Sequence, residues 1–503
     1  MIGLIGTSLF IALFGFFVFL GFYGSRWRRG DLSRLDEWAL AGRRLGTFLV
    51  WFLVGADLYT AYTFVAVPSG IFAKGALLFF AVPYVATVFA LATAVMPVLW
   101  DWSRRRGYIT AADFVEDRFR SRLLAAFVAA TGIVAEFPYI ALQIVGMQAV
   151  LTIMLINVVP GASVERVSEV ALTLSFVILA AFTYTSGLRG ATLTAVLKDA
   201  LIFISVISIL VMVPFTIHGG FAAAFKAASS KGLATGVYTL KAPLASAYLT
   251  LWVGSSLALY LYPHSVNGAL SAESRRKLAL STAFLPIYGI GLALLAIYGI
   301  LIYADPKALS LISPFPPLER GILVIPALAV TVLPDWLAGL ALLGIFIGGL
   351  VPAAIMAMAQ ANLLTRNIVK PIVKLSPSGE ARLAKWASVV FKFIALGFVF
   401  LVPPTYAINL QLLGGIIITQ TLPTVFLGLV TDKLDKYSLM VGWAVGLGLG
   451  VYLTIKEGFN SLYPIMGHLI YIALLALAVN LAIVLIGTAV RITVKRIMTV
   501  QVH

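Results

Sequence analysis

The chain has 503 residues, 61% of them hydrophobic and only 11% charged, with a formal net charge of +16 and a mean hydropathy of +1.02. A soluble globular protein is about half apolar and about a quarter charged, so charges this sparse cannot clothe a soluble surface of this size and the bilayer is the implied solvent. The positive excess does not call for nucleic acid, because basic residues of membrane proteins gather in cytoplasmic loops; the lack of cysteine excludes disulfides and thiolate metal sites, and four scattered histidines offer no metal cluster.

A spanning helix needs about 20 mostly apolar residues. In chain order thirteen segments qualify: 2–23, 47–70, 76–100, 123–157, 168–186, 190–217, 244–262, 279–303, 337–364, 384–403, 407–430, 438–455 and 466–489. The first is too long for a signal-peptide core. It has no Lys or Arg before Arg26 and is followed by Arg26, Arg28 and Arg29 rather than a small-residue cleavage site. It therefore reads as a retained helix, with the N-terminus outside and the C-terminal tail inside a cytoplasmic membrane. Alternating the loops from there puts 26 of the 36 Lys and Arg on the cytoplasmic side and 8 opposite. One miscounted helix would flip every later loop and spoil that asymmetry. The outer segments 218–243 and 304–336 are expected to hold short surface helices, and Ile109–Arg122 an amphipathic helix capped by Thr110.

Ionisable groups at bilayer depth are functional candidates by default, since burying them is costly. Asp57 lies ten residues into the second segment, ~15 Å along its axis, within GADLYTAYTFVAVPSG, a polar, Gly/Pro-bearing stretch poised to break and expose carbonyls. Thr60 and Tyr62 are its near neighbours. Lys198 and Asp199 sit at similar depth in the sixth segment; adjacent helix positions point about 100° apart, so they are not expected to satisfy each other, and each needs a partner on another helix, or water. Lys392 lies close enough to the tenth helix's cytoplasmic end to snorkel out. Glu136, Tyr139 and Gln143 make a polar stripe on one face of the fourth helix, serving either a site or interhelical contact. In the ninth, Gly348-Gly349-Leu350-Val351-Pro352 marks a second expected interruption near midplane. Tyr262-Pro263-His264 reads as a helix end at the cytoplasmic interface, and only His264, with Ser265 and Asn267, offers the beginnings of an enzymatic cluster.

Several segments together resemble the solute:sodium symporter family: EWALAGRRLG, GADLYTAYTFVAVPSGIFAKG, GYITAADFVEDRFRSR, YTSGLRGATLTAVLKDALIFI, YPHSVNGALSAESRR and GGLVPAAIMAMAQANLLTRNI. YPHS with LSAESRR, and LVPAAIMAMAQANLLTRN, look most like its monocarboxylate-permease branch. The resemblance implies an all-α membrane protein with the leucine-transporter fold. Two inverted five-helix repeats (47–217 and 244–430) would be joined by an external loop (218–243), with an extra helix and loop before them (1–46) and two helices and a tail after (431–503). It also implies a Na⁺ cage from backbone carbonyls at Ala56 and Tyr59 and from the ninth-helix positions Gly348, Val351 and Pro352. Here the chain departs from the family, because both hydroxyl ligands are missing, and Lys198 appears on the helix that passes beside the cage. The expectation is a symporter, not an enzyme. It would take up a small organic solute such as a monocarboxylate, coupled to Na⁺ by family or to H⁺ by the altered site. Asp57, Thr60, Tyr62, Tyr139 and Gln143 would line a midplane cavity walled by helices two, four, seven and eleven. A proton-translocating subunit of a respiratory complex is the competing reading. No cofactor is implied, and the sequence leaves the oligomeric state open.

Overall fold

The computed structural model describes residues 2–28, 30–156, 158, 163–217, 219–231, 239–401 and 407–500. Among these, twelve helices are long and apolar enough to cross a membrane. One of them, Tyr62–Arg106, changes direction at Gly75, whose φ of +64° is open to glycine at little cost. It carries the latter half of the second span and all of the third, Ala81–Arg106. The first half of the second span is the separate ten-residue helix Thr47–Ala56. Divided at Gly75, the Tyr62–Arg106 helix brings the spans among the described residues to the thirteen that the sequence predicts. The amphipathic helix forms as Ala111–Phe119, its N-terminus closed by a reciprocal capping box between Thr110 and Asp113. The outer segments carry Gly220–Lys231 and, further on, Pro306–Ile312, Pro317–Arg320 and Val324–Val332; positions 232–238 of the first lie outside the described residues.

Lipid tails give helices no hydrophobic reason to associate, so close backbone approach and interhelical hydrogen bonds must hold the bundle. The ninth span, Asp335–Leu363, is its central post. Its apolar core is 94% buried, against 22% for the first span, Leu4–Tyr23. The first runs alongside the ninth in parallel. Asp335 accepts hydrogen bonds from the amides of Gly3 and Gly6 at the start of the first helix, and Phe10 and Phe14 each meet the Phe346 ring edge-on at 5.8 Å.

Three expectations are corrected here. The ninth helix does not break: it runs unbroken through Gly348, Gly349 and Pro352, and the glycines serve close packing. A Cβ on Gly349 would lie 2.6 Å from the Gln143 carbonyl oxygen and 2.9 Å from Met147 Cγ, on the fourth span, Arg122–Leu155. The second interruption falls instead in the seventh span, between Ala245–Leu261 and Pro263–Leu270, where Tyr262 is extended (φ −63°, ψ 137°). So Tyr262-Pro263-His264 is an interior break rather than a helix end, and His264 is fully buried. The thirteenth helix begins later than predicted, at Ile472, because 462–471 form a β-hairpin pairing Leu462 with Tyr471 and Ile465 with His468. Its turn, Met466-Gly467, has positive φ at both residues, the hand that suits a two-residue hairpin.

The Gly349 contact supplies a test. Gly349→Ala forces the fourth and ninth spans apart, an overpacking that costs about 1–3 kcal/mol. The expected result is a melting temperature in detergent lowered by several degrees; an unchanged value would show that this approach does not hold the bundle.

Candidate functional site

The second span comes apart at 57–61. Backbone bonds there shorten to turns, with Asp57 N reaching Val54 O, Leu58 N reaching Gly55 O and Thr60 N reaching Leu58 O. Carbonyls and amides lose their helical partners, and in a bilayer each must find another. Other side chains supply them. Lys198 Nζ donates to Ala56 O at 3.2 Å and Tyr59 O at 2.8 Å. Thr63 Oγ1 donates to Leu58 O at 2.5 Å, and Tyr139 OH to Asp57 O at 3.4 Å. Gln143 Oε1 accepts from Ala61 N at 3.0 Å, and Thr60 Oγ1 from Tyr62 N at 3.0 Å. The polar stripe of the fourth helix is thus brought to the break, with Gln143 also donating to Tyr139 O at 3.2 Å.

Lys198 and Asp199 each find a partner on another helix, as expected, but against expectation they also pair with each other. The Lys198 ammonium lies 2.9 Å from Asp199 Oδ1, both groups fully buried. The 100° rule describes where Cβ atoms point, and a four-carbon stem can swing back across it. Asp199 Oδ2 accepts from Tyr288 OH at 2.6 Å. Tyr288, Tyr59 and Phe203 form an aromatic wall around this pair, with ring centroids 4.6–5.5 Å apart. Gly348 faces Ile202, one turn beyond Lys198, and Phe64; Val351 and Pro352 are fully buried. Lys392 does not snorkel either. It is buried and donates to Ser388 O at 3.3 Å and Ser388 Oγ at 2.6 Å, one turn back on its own helix.

The seventh-helix break faces the second. Glu136 Oε1 accepts from the His264 amide at 3.2 Å and lies 2.7 Å from His264 Nδ1. The Tyr139, Tyr262 and His264 rings sit 5.3–5.5 Å from one another. A Cβ on Gly268 would lie 3.7 Å from Asp57 Oδ2, so the Asp57 carboxylate points at the short helix Pro263–Leu270. Its titratable neighbours are His264, Lys198 and Glu136, with Ser265 a nearby donor. Neither Asp57 oxygen completes a hydrogen bond of ordinary geometry, nor do Glu136 Oε2, His264 Nε2, Ser265 Oγ, Asn267 Nδ2 and Tyr62 OH. Asp57, Thr60, Tyr62, Tyr139 and Gln143 are all at most 2% exposed, so the place is sealed from both faces. A hollow of about 20 Å³, near the size of one water, touches Pro263 and Asn267 and reaches Thr110 at the arginine-rich face. The sequence alone gives His264, Ser265 and Asn267 no place in the transport site. The available signal was Pro263, which biases the residue before it to an extended backbone.

Two broken helices, five spans apart, facing each other with unpaired polar atoms between them, define a membrane transporter rather than an enzyme. The chain belongs to the sodium:solute symporter family, whose model matches residues 38–446. It is similar to a monocarboxylate transport permease protein of Rhizobium johnstonii, at 40% identity over 96% of this chain and 97% of that one. It is also similar to an uncharacterized symporter, YodF, of Bacillus subtilis, at 31% identity over 89% of this chain and 87% of that one. Its fold matches a Na⁺-coupled sialic acid symporter in a substrate-bound, outward-open state, with a TM-score of 0.73 and 17% identity over 97% of this chain and 98% of that one. The leucine-transporter-like architecture is therefore shared, and the respiratory-subunit reading is set aside.

Proposed function

We propose that this protein carries a small monocarboxylate together with protons, and that the Lys198 ammonium stands where the family's coupling Na⁺ would. The observation that carries this is the ammonium's seat on the Ala56 and Tyr59 carbonyls. Na⁺ asks for hard oxygen ligands, whereas Gly348, Val351 and Pro352 bring no side-chain oxygen. A second cation about 4 Å from the ammonium would be repelled by about 4 kcal/mol even at an effective dielectric constant of 20. The residues of this chain therefore do not fit Na⁺ at that position.

An ammonium there ties the second span to the sixth, where the family's bound cation would tie it to the ninth. Losing its proton removes the charge from that tie, which is how a proton gradient can bias the break. Asp57, Thr60 and Tyr62, with Tyr139 and Gln143, lie on the substrate side of the same break. The units 47–217 and 244–430 are the two inverted repeats, each contributing one broken helix to the site. The charge asymmetry of the loops puts the arginine-rich face in the cytoplasm of the cell, with the N-terminus outside. The substrate class follows the Rhizobium relative's name and suits a site small enough to be sealed by side chains.

The test is uptake of radiolabelled acetate, pyruvate and lactate into proteoliposomes, with protein-free vesicles subtracted for passive acid diffusion. Accumulation is expected under an inward proton gradient and unchanged by Na⁺. Accumulation driven by Na⁺ at clamped pH and potential, indifferent to a pH gradient, would overturn the proposal.

A further inference from the structure

We propose that His264, held by Glu136 at the seventh-helix break, receives the substrate's carboxylate, and that it does so as an imidazolium, so that one proton enters the site with each carboxylate. The proposal rests on the monocarboxylate reading above and adds the receiving atom, His264 Nε2.

The contact with Glu136 sets the ring's tautomer, taking the carboxyl as its ionised form. Glu136 Oε1 meets two groups, the His264 amide and Nδ1. An ionised carboxylate only accepts, so Nδ1 carries the hydrogen it donates to Glu136. In the neutral ring Nε2 is then a bare lone pair, which accepts and cannot donate. Nε2 is unpartnered and the residue is 0% exposed. The groups facing it are Glu136 and Tyr139 from the fourth span, Asp57 from the second-helix break and Tyr262 from its own segment. Lys198 does not serve it, being engaged with Asp199 and two carbonyls.

That inventory fixes what the place can accept. Two carboxylates, Asp57 and Glu136, already stand beside it. A bare third carboxylate would be buried with no cation free to meet it, and an unpaired buried ion is prohibitively costly. A carboxylate arriving with one proton adds no net charge. The proton bonds to the Nε2 lone pair, turning the acceptor into a donor. The substrate oxygen accepts from Nε2–H, and Glu136 balances the ring. On release the proton leaves Nε2 and the neutral ring returns, with no bond to carbon made or broken. Two further unpartnered donors lie beside His264 in the first turns of the same eight-residue helix, Ser265 Oγ and Asn267 Nδ2. Asn267 falls on the His264 face, three residues on. The N-terminal end of that helix also favours an anion.

The test is equilibrium binding of radiolabelled pyruvate to the purified full-length protein between pH 5 and 8. In the wild type, affinity is expected to fall about tenfold per pH unit over the alkaline part of the range, as uptake of one proton requires. His264→Gln supplies an amide donor that needs no proton, so its binding is expected to persist and to lose this slope. Glu136→Gln removes the ring's counter-charge while keeping its shape, and is expected to move the profile at least one unit toward acid. Either variant keeping the wild-type slope and midpoint would overturn the proposal while leaving the monocarboxylate reading intact. A wild type that binds none of pyruvate, lactate or acetate would overturn both. If His264→Gln does not fold, the Glu136→Gln profile decides alone.

Discussion

Lys198→Met abolishes accumulation driven by a proton gradient: this is the largest effect expected of any single substitution here. Methionine matches most of the lysine's length but carries no charge. The Ala56 and Tyr59 carbonyls lose their donor, and Asp199 keeps only Tyr288 OH as a partner. Breaking a buried ion pair from one side costs about 3–5 kcal/mol, a large share of the roughly 5–15 kcal/mol that holds a native protein together. The single variant is therefore expected to melt well below the wild type. Lys198→Met combined with Asp199→Asn removes both charges and leaves a group that still accepts from Tyr288. It is expected to recover most of the stability and none of the gradient-driven uptake. Both are read in proteoliposomes beside a melting curve in detergent. A double variant that accumulates pyruvate as the wild type does would show that this lysine has no part in coupling.

Asp57→Ala separates stability from transport in the opposite direction. The carboxylate is buried at 2% exposure and neither oxygen is hydrogen-bonded. No polar network collapses when it goes, and an ion buried without close pairing costs several kcal/mol to keep there. The variant is expected to melt at or above the wild-type temperature while uptake falls to the level of protein-free vesicles. Full uptake with Asp57 removed would take it out of the site; a large fall in melting temperature would show a structural role instead.

What the sequence revealed, and what it hid, follows from the range over which each signal acts. The thirteen spans, the Thr110 cap and the break at Asp57 are written within one turn or one span: an apolar run, a hydroxyl three residues before an acid, a polar Gly/Pro stretch. The ninth helix was misread because Gly-Gly with Pro marks both a break and a close crossing. Only the position of Gln143 O, on another helix, decides between them. The seventh-span break reads in sequence as a helix end at the interface for a similar reason. Pro263 signals extended backbone at Tyr262, but that His264 lies inside rather than at an interface depends on Glu136, 128 residues earlier. Likewise the departure of Gly348, Val351 and Pro352 from the family's ligands is visible in one dimension. The seat of Lys198 on the Ala56 and Tyr59 carbonyls needs three, since 142 and 139 positions separate donor from acceptors.

The grip of Asp335 on the first helix has a consequence for biosynthesis. Gly3 and Gly6 present amides whose acceptor lies 332 and 329 residues further along the chain. At about 5–20 residues per second, the ribosome delivers that aspartate roughly 15–65 s after the first helix has emerged. Through that interval the outer end of the first span must wait in lipid without that acceptor, and with so little of the span buried even in the finished protein it is well suited to waiting. Assembly of the bundle is thus completed from its beginning only when the ninth span arrives. A nascent chain halted before the ninth span would have only the inner end of that first helix docked, on Phe182 and Gly190 of the fifth and sixth spans, and its outer end open to membrane quality control.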